Sequence, residues 1–207
     1  FRSRGVDAWC CDMVPDDGLG HFHLLGDVLE IAPSFDALIV HPPCTYLASS
    51  GLHWNGRIQG RAEKTKEALL FVQRIFDMGH PILCLENPIG RIGTAIRKAD
   101  QVVQTYQFGE DASKGTALWL RGLPALVPTR YVRPRMVCSC GAVYGYTDKG
   151  CPSCGETNAA ALPRWANQTD SGQNRLGPSA DRAVIRSRTY PGIADAMAEQ
   201  WAKYLRA

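Results

Sequence analysis

Apolar residues in this chain fall in short continuous runs more often than in strict alternation. Asp36-Ala37-Leu38-Ile39-Val40 ends one such run and Ile82-Leu83-Cys84-Leu85 is another. Runs of four or five apolar residues mark strands buried on both faces. Proline follows each, in His41-Pro42-Pro43 and in Glu86-Asn87-Pro88, and proline has no N–H to give a ladder. Between the two runs the period changes. Ala68, Leu69, Val72, Ile75 and Phe76 recur at i, i+1, i+4, i+7 and i+8, which predicts a helix over 61–78 that Gly79-His80-Pro81 ends. Strand, helix, strand is a βαβ unit, so the two strands are expected to lie parallel. Ligands of such sheets bind beyond the carboxyl ends of the strands. Those ends carry Pro42-Pro43-Cys44-Thr45 and Glu86-Asn87-Pro88, which predicts a thiol and a carboxylate in one cleft.

Weaker signals fill in the rest. Val6 to Cys11 reads as a strand ending at Asp12, followed by a Pro/Asp/Gly loop at 15–20 and a Gly26-Asp27 turn. Thr116 to Leu120 reads as a strand, 121–135 as a Pro- and Arg-rich connection, and 159–188 as a polar loop. A last helix is expected from about 193, with Ile193, Ala196, Met197, Trp201 and Tyr204 on its core face. The chain opens on Phe1 inside an element, so an upstream strand is expected. A length of 207 residues fits one domain with a small insert. No run of about 18 apolar residues exists, which excludes a spanning helix. No basic-then-apolar leader opens the sequence, and secretion is not expected.

Charge adds an asymmetry. Residues 1–111 hold 10 Lys+Arg and 14 Asp+Glu, whereas 112–207 hold 13 and 6. A basic second half suits a polyanion partner or merely a solvated surface. The eight cysteines then divide by context. Cys10, Cys11 and Cys84 sit among apolar residues, Cys44 stands alone, and four cluster as Cys138-Ser-Cys140-Gly141 and Cys151-Pro-Ser-Cys154-Gly155. Two knuckles ten residues apart suit a tetrahedral, four-thiolate structural zinc with no open position for catalysis. So short a segment needs the metal to fold. The alternative, a disulfide pair, fits poorly with the intracellular pattern of the other thiols. Arg130, Tyr131, Arg133, Arg135, Tyr144 and Tyr146 lie in or beside the cluster and suit phosphate contacts and base stacking, or a solvated basic face.

Cys44 and Glu86 define a chemistry. A thiolate added to C6 of cytosine makes C5 a carbon nucleophile, and an acid at N3 eases that addition. Each residue also has an ordinary role open to it, a buried turn thiol for Cys44 and a salt-bridge partner for Glu86. His41 is expected to be a core-edge histidine rather than one that orients its loop, and Trp119, Trp165 and Trp201 to be packing residues. Pro42-Pro43-Cys44 resembles the nucleophile motif of DNA cytosine-5 methyltransferases, and Glu86-Asn87-Pro88 is similar to their Glu-Asn-Val motif. The set His41-Pro-Pro-Cys-Thr-Tyr-Leu, Leu85-Glu-Asn-Pro, Phe108-Gly-Glu, Lys114-Gly-Thr-Ala-Leu-Trp-Leu and Thr189-Tyr-Pro-Gly-Ile-Ala-Asp-Ala-Met-Ala-Glu-Gln-Trp resembles the small cytosine methyltransferase-like proteins of phages and prophages.

That resemblance implies an α/β, Rossmann-like S-adenosylmethionine (SAM) methyltransferase sheet lacking its first strand, formed by 1–128 and 180–207, with a zinc-ribbon and target-recognition insert at 129–179. It implies SAM at Asp12, Asp27 and Pro42, with Asp12 at the ribose and Asp27 near the adenine. It also implies double-stranded DNA at Thr45, Lys114, Thr116, Arg133, Arg135, Arg186 and Arg188, a cytoplasmic location in a bacterial host, and no membrane. The Gly-rich loop that normally follows the family's first strand is absent, and the usual Gln-x-Arg-x-Arg pattern is not present near Lys114. Amino-group methylation is disfavoured, because His41 and Cys44 stand where a polar residue and an aromatic are needed. Zinc deamination is excluded, since no His-x-Glu occurs and Gly150 precedes Cys151. Two alternatives stay open: a catalytically inactive methyltransferase-like DNA binder, and a cysteine-dependent pyrimidine enzyme acting on nucleotides.

Overall fold

The structure, a computed structural model, describes residues 1–15, 18, 20–177, 179 and 190–205. It is a mixed α/β protein in two compact units. One comprises Phe1–Val103, Gly115–Leu126 and Met197–Ala207; the other comprises Gln104–Lys114 and Val127–Ala196.

The first unit is built on the expected βαβ element. Strands β1 (Cys10–Asp12) and β2 (His23–Leu25) come first, followed by the one-turn helix α1 (Val28–Ile31). Next are β3 (Ala37–Val40), the short helix α2 (Ser49–Leu52), the long helix α3 (Arg61–Asp77) and β4 (Ile82–Pro88). Helix α4 (Arg91–Ala95), β5 (Gln101–Gln104) and β6 (Gly115–Arg121) complete the set. The sheet order is β3-β4-β6-β5. β3 and β4 pair in parallel from Ala37↔Ile82 to Val40↔Leu85. β6 returns antiparallel against β4, so the sheet is mixed.

Leu38, Val40, Leu83, Leu85, Ala117 and Trp119 form one sheet face and bury against Val72, Ile75 and Phe76 of α3. The other face of β4 and β6 is closed as well, with Cys84 and Leu118 fully buried. That is why the apolar runs are continuous rather than alternating.

Three expectations change. β4 runs on to Pro88, beyond its apolar run, because β6 supplies ladder partners as far as Pro88↔Thr116. The first strand is only Cys10–Asp12. It pairs with β2 in a separate two-stranded parallel sheet rather than extending the four-stranded one. The third is the unexpected β5, whose Gln101 exchanges two side-chain hydrogen bonds with the backbone of Leu126 at 2.8 Å each.

The second unit carries β7 (Arg135–Val137), β8 (Val143–Gly145) and β9 (Leu162–Arg164), an antiparallel sheet of order β8-β7-β9. Its small core is Met136, Cys138, Tyr144, Cys151 and Ala161. β9 lies inside the stretch expected to be loop. The last helix, α5, runs Pro191–Leu205. Ile193, Ala196, Met197 and Trp201 are buried along it as expected, whereas Tyr204 is exposed.

Candidate functional site

The carboxyl ends of β3 and β4 are laced together. The Asn87 side chain is 1% exposed, and its Nδ2 donates to the Pro42 carbonyl at 2.7 Å. Beyond the strands the Ser49 amide donates to Ile89 O at 3.0 Å, the Arg91 amide donates to Leu47 O at 2.8 Å, and Ala48 bridges Gly90. Gly90 is required by this close approach: a Cβ there would lie 2.0 Å from Leu47 O. Between these ties Cys44 opens a single 3-10 turn, Cys44–Tyr46, whose end is fixed by Leu47 and Ala48 amides donating to Cys44 O. Cys44 is partly exposed, neither sealed nor fully solvated.

Glu86 lies in β4 one residue before Asn87, its side chain 19% exposed. His41 Nδ1 stands 3.2 Å from Glu86 Oε2, and the His41 side chain is 46% exposed. The imidazole is therefore no core-edge packing residue; it shares a hydrogen bond with the Glu86 carboxyl from the solvent side. Cys84, two residues back on the same side of β4, is fully buried. Burial, and then the charge of Glu86, push its thiol well above the ordinary range, so it is inert at neutral pH. The thiol and carboxylate predicted from sequence thus sit on neighbouring strand ends, joined by Asn87 and Pro42.

The other expected residues fall as follows. Asp12 ends β1 and Asp27 follows β2. Asp12 Oδ1 accepts the Val14 amide at 3.0 Å, and Asp27 Oδ1 caps α1 by accepting the Leu29 amide at 2.9 Å. Burial, then Cys10, Asp12 and Asp27, raise the Cys11 thiol between them. Pro42 is buried. Thr45 is exposed, and its carbonyl accepts Arg61 Nη2 at 2.9 Å. Thr116 is 2% exposed and lies opposite Pro88, which takes its side chain out of any surface set.

In the second unit Lys114 Nζ lies 5.7 Å from the Tyr190 ring and Arg133 lies 5.8 Å over Tyr146. Arg135 donates to Trp165 O, Gln168 O and Asp170 Oδ1 at 2.8, 2.7 and 3.0 Å. Its guanidinium is a clamp on that loop, with little left for phosphate. Tyr144 is buried in the ribbon core and is no base platform; Tyr131 and Tyr146 are exposed. Arg186 and Arg188 lie outside the described residues.

Sequence reasoning missed Thr65. It is buried, and its hydroxyl lies 3.1 Å from Tyr46 O and 3.0 Å from Asn55 Nδ2, pinning the segment after Cys44 to α3. Its place seven residues before Val72, on the core face of the helix, was the available signal.

The second site is the cysteine cluster. The four sulfurs of Cys138, Cys140, Cys151 and Cys154 lie within 4.8 Å of one another, with Cys138–Cys154 at 3.5 Å and Cys140–Cys151 at 3.6 Å. Four sulfurs at about 2.3 Å from one zinc in a tetrahedron are about 3.8 Å apart, so the donor set fits. The two knuckles have matching backbones. Cys138 N donates to Ala142 O and Cys151 N to Glu156 O, while Gly141 N donates to Cys138 O and Gly155 N to Cys151 O. Both glycines have positive φ, 89° and 75°, which this turn demands. The thiols share hydrogen bonds and do not ionise alike: burial opposes ionisation of Cys151, but the Cys154 and Ser153 amides and neighbouring thiols lower it, whereas hydrogen bonds among the thiols raise Cys140 and Cys154. By the spacing of its four sulfurs the cluster can hold a metal ion such as zinc.

A scan against protein-family models, a search of curated proteins and a search of solved structures each returned no match to this chain.

Proposed function

We propose that the chain is a DNA cytosine-5 methyltransferase, built on a Rossmann-like sheet, with Cys44 as nucleophile and Glu86 as the acid at N3. The observation that carries this reading is the 2.7 Å bond from Asn87 to the Pro42 carbonyl. It holds the residue after Glu86 to the residue two before Cys44. A thiolate and a carboxyl must reach C6 and N3 of one ring, atoms on opposite sides of the base, and a rigid tie between their strands fixes the separation that this needs. The partial exposure of both groups supports it too, because the target base has to reach them.

In this mechanism a cytosine is first extruded from duplex DNA. The Cys44 thiolate adds to C6 as Glu86 gives its proton to N3, and the electron pair of the C5–C6 bond is left available at C5. C5 then takes a methyl group; a water molecule takes the C5 proton, the C6–S bond breaks to release the thiolate, and N3 returns its proton to Glu86, which restores the ring and both groups. SAM, when bound, supplies the electrophilic methyl. Asp12 and Asp27 fit it in kind, as carboxylates at the ends of the parallel pair β1–β2, and would hold the ribose and adenine ends. The cysteine cluster is read as a structural zinc on its four-thiolate geometry, and the cytoplasm of a bacterial host as the setting on the resemblance.

The test uses the full chain, SAM and a duplex carrying 5-fluorocytosine, whose C5–F bond blocks release of the enzyme. A covalent, gel-shifted adduct is expected from the native chain and none from Cys44→Ser. Equal trapping by the serine variant would refute the assignment. Binding of DNA without any adduct would favour a non-catalytic binder instead.

A further inference from the structure

We propose that the segment following the nucleophile, residues 46–66, is a surface that grips one strand of the DNA duplex beside Cys44. Arg57 and Lys64 would lie on phosphates and Trp54 would stack on a base. This deepens the function proposed above and rests on it for the identity of the polynucleotide.

Charge provides the first argument. The first 111 residues are net acidic, yet residues 37–66 hold four basic residues, Arg57, Arg61, Lys64 and Lys66, against a single acid, Glu63. The rest of that half holds 6 basic and 13 acidic residues. A concentration of positive charge in an acidic half therefore falls in the segment from the nucleophile into the start of the long helix, beginning at Arg57. A polyanion would be drawn to such a place beside Cys44.

Aromatic exposure provides the second. Trp54 is 42% exposed and Ile58 is 50% exposed, a wasteful arrangement for a surface facing only water. Arg57 Cζ lies 5.7 Å over the Trp54 ring, and Arg61 Cζ and Lys64 Nζ lie 4.9 and 5.7 Å over Tyr46. Cations interleaved with aromatic faces are what strand-gripping surfaces use, since phosphate and base alternate along the strand.

The segment is also held in shape. Arg57 N and Ile58 N both donate to Trp54 O, closing a turn. Thr65 ties Tyr46 O and Asn55 to α3, and Arg61 Nη2 fixes Thr45 O at 2.9 Å. Gly51 leaves the room for it, as a Cβ there would meet Arg61 Nη2 at 2.9 Å. A surface ordered before binding loses less entropy on binding.

The experiment measures equilibrium binding of the full chain to a fluorescein-labelled 20-bp duplex by anisotropy, across a series of NaCl concentrations. Arg57→Gln and Lys64→Gln are each expected to weaken binding on every sequence and to reduce the salt slope by about 0.9. Trp54→Ala is expected to weaken it about 5- to 150-fold, with Trp54→Phe recovering most of the loss. Urea midpoints of these exposed-site variants should match the native chain. Native affinity and slope in the variants would overturn the proposal, as would displacement of the duplex by polyglutamate or RNA more readily than by unlabelled duplex. The measurement needs no turnover. Loss of 5-fluorocytosine trapping with these variant effects intact sinks the methylation reading alone, and intact trapping with unaffected variants sinks this surface alone.

Discussion

Asn87→Ala tests the tie on which the candidate site depends. The side chain is buried, and its amide is the partner that the structure shows for the Pro42 carbonyl. Removing it takes away one hydrogen bond and leaves a carbonyl on a buried residue without that donor, a penalty of about 1–3 kcal/mol. A small cavity adds to this. One part is returned, because Asn87 Oδ1 is itself buried without a hydrogen-bond partner and disappears with the substitution. The expected net loss is about 2 kcal/mol. For a chain of this size that lowers the melting temperature by roughly 4–8 °C. Thermal unfolding followed by circular dichroism reads the magnitude. Hydrogen exchange reads the place: the Ser49 and Arg91 amides, which donate across to Ile89 O and Leu47 O, should lose protection ahead of the sheet amides of Leu83 and Leu85. A loss below about 0.5 kcal/mol together with unchanged protection at Ser49 and Arg91 would show that the two loops are held by something else.

Other perturbations address separate parts of the molecule. Gly90→Ala places a methyl 2.0 Å from Leu47 O, so the backbone must part. The Ala48–Gly90 bridge should be lost, with a destabilisation above about 3 kcal/mol seen as a lowered urea midpoint. One zinc per chain should be released by a strong chelator, measured with a colorimetric zinc indicator. Near-ultraviolet signal from Tyr144 should fall with it, and Cys138→Ser should lower the stoichiometry; a chain that carries no metal yet keeps that signal refutes the ribbon's dependence on it. Asp100 is held below the ordinary aspartate range, first by its hydrogen bond from Arg97 and further by the Leu120 amide at 2.6 Å. A carboxyl whose folded pKa is depressed contributes stability that is present above its unfolded pKa of 3.8 and lost as pH falls through the lower folded value. Asp100→Asn should therefore flatten the stability–pH curve below pH 3.8, and an unchanged slope would exclude that contribution.

The βαβ element was legible because each of its signals has one cause. Continuous apolar runs follow from burial on both faces, prolines from the ladder's end, and the change of period from α3. β5 was not legible. Its Gln101-Val102-Val103-Gln104 is short and flanked by polar residues, and it forms because β6 gives it an edge. β7, β8 and β9 are three residues each, too short for any period, and their pairing depends on the four-cysteine fold. Cys44 and Glu86 were legible as residue types at strand ends. The link between them was not, because Asn87 reads in sequence as part of a turn, whereas antiparallel pairing with Ala117 keeps it inside the strand and turns its amide to Pro42. Arg135 misled for the opposite reason: an arginine among tyrosines reads as a phosphate contact until its three acceptors on the 165–170 loop are seen.

The two cysteines near the candidate site explain why it is divided between strands. Cys84 shares its strand, and its side of that strand, with Glu86, so a thiol and a carboxyl already stand two residues apart. That thiol cannot serve, since burial and the adjacent carboxylate both oppose its ionisation. A nucleophile needs a position where the backbone has left the sheet and water or substrate can enter, and Cys44, opening the turn after β3, has one. Separating the two groups in this way makes their alignment depend on whatever joins the strand ends. His41 joins them through Glu86 from the solvent side, and Asn87 joins them through Pro42 from the buried side. The solvent-side contact is open to water and the buried one is not, so loss of His41 should cost little stability and free the Glu86 side chain, whereas loss of Asn87 should disturb the geometry of the strand ends. Under the proposed chemistry His41→Ala would then slow trapping by releasing the Glu86 side chain, with little change in melting temperature, and His41→Gln would recover part of the rate. A drop in melting temperature as large as that of Asn87→Ala, with an unchanged trapping rate, would assign His41 to structure instead.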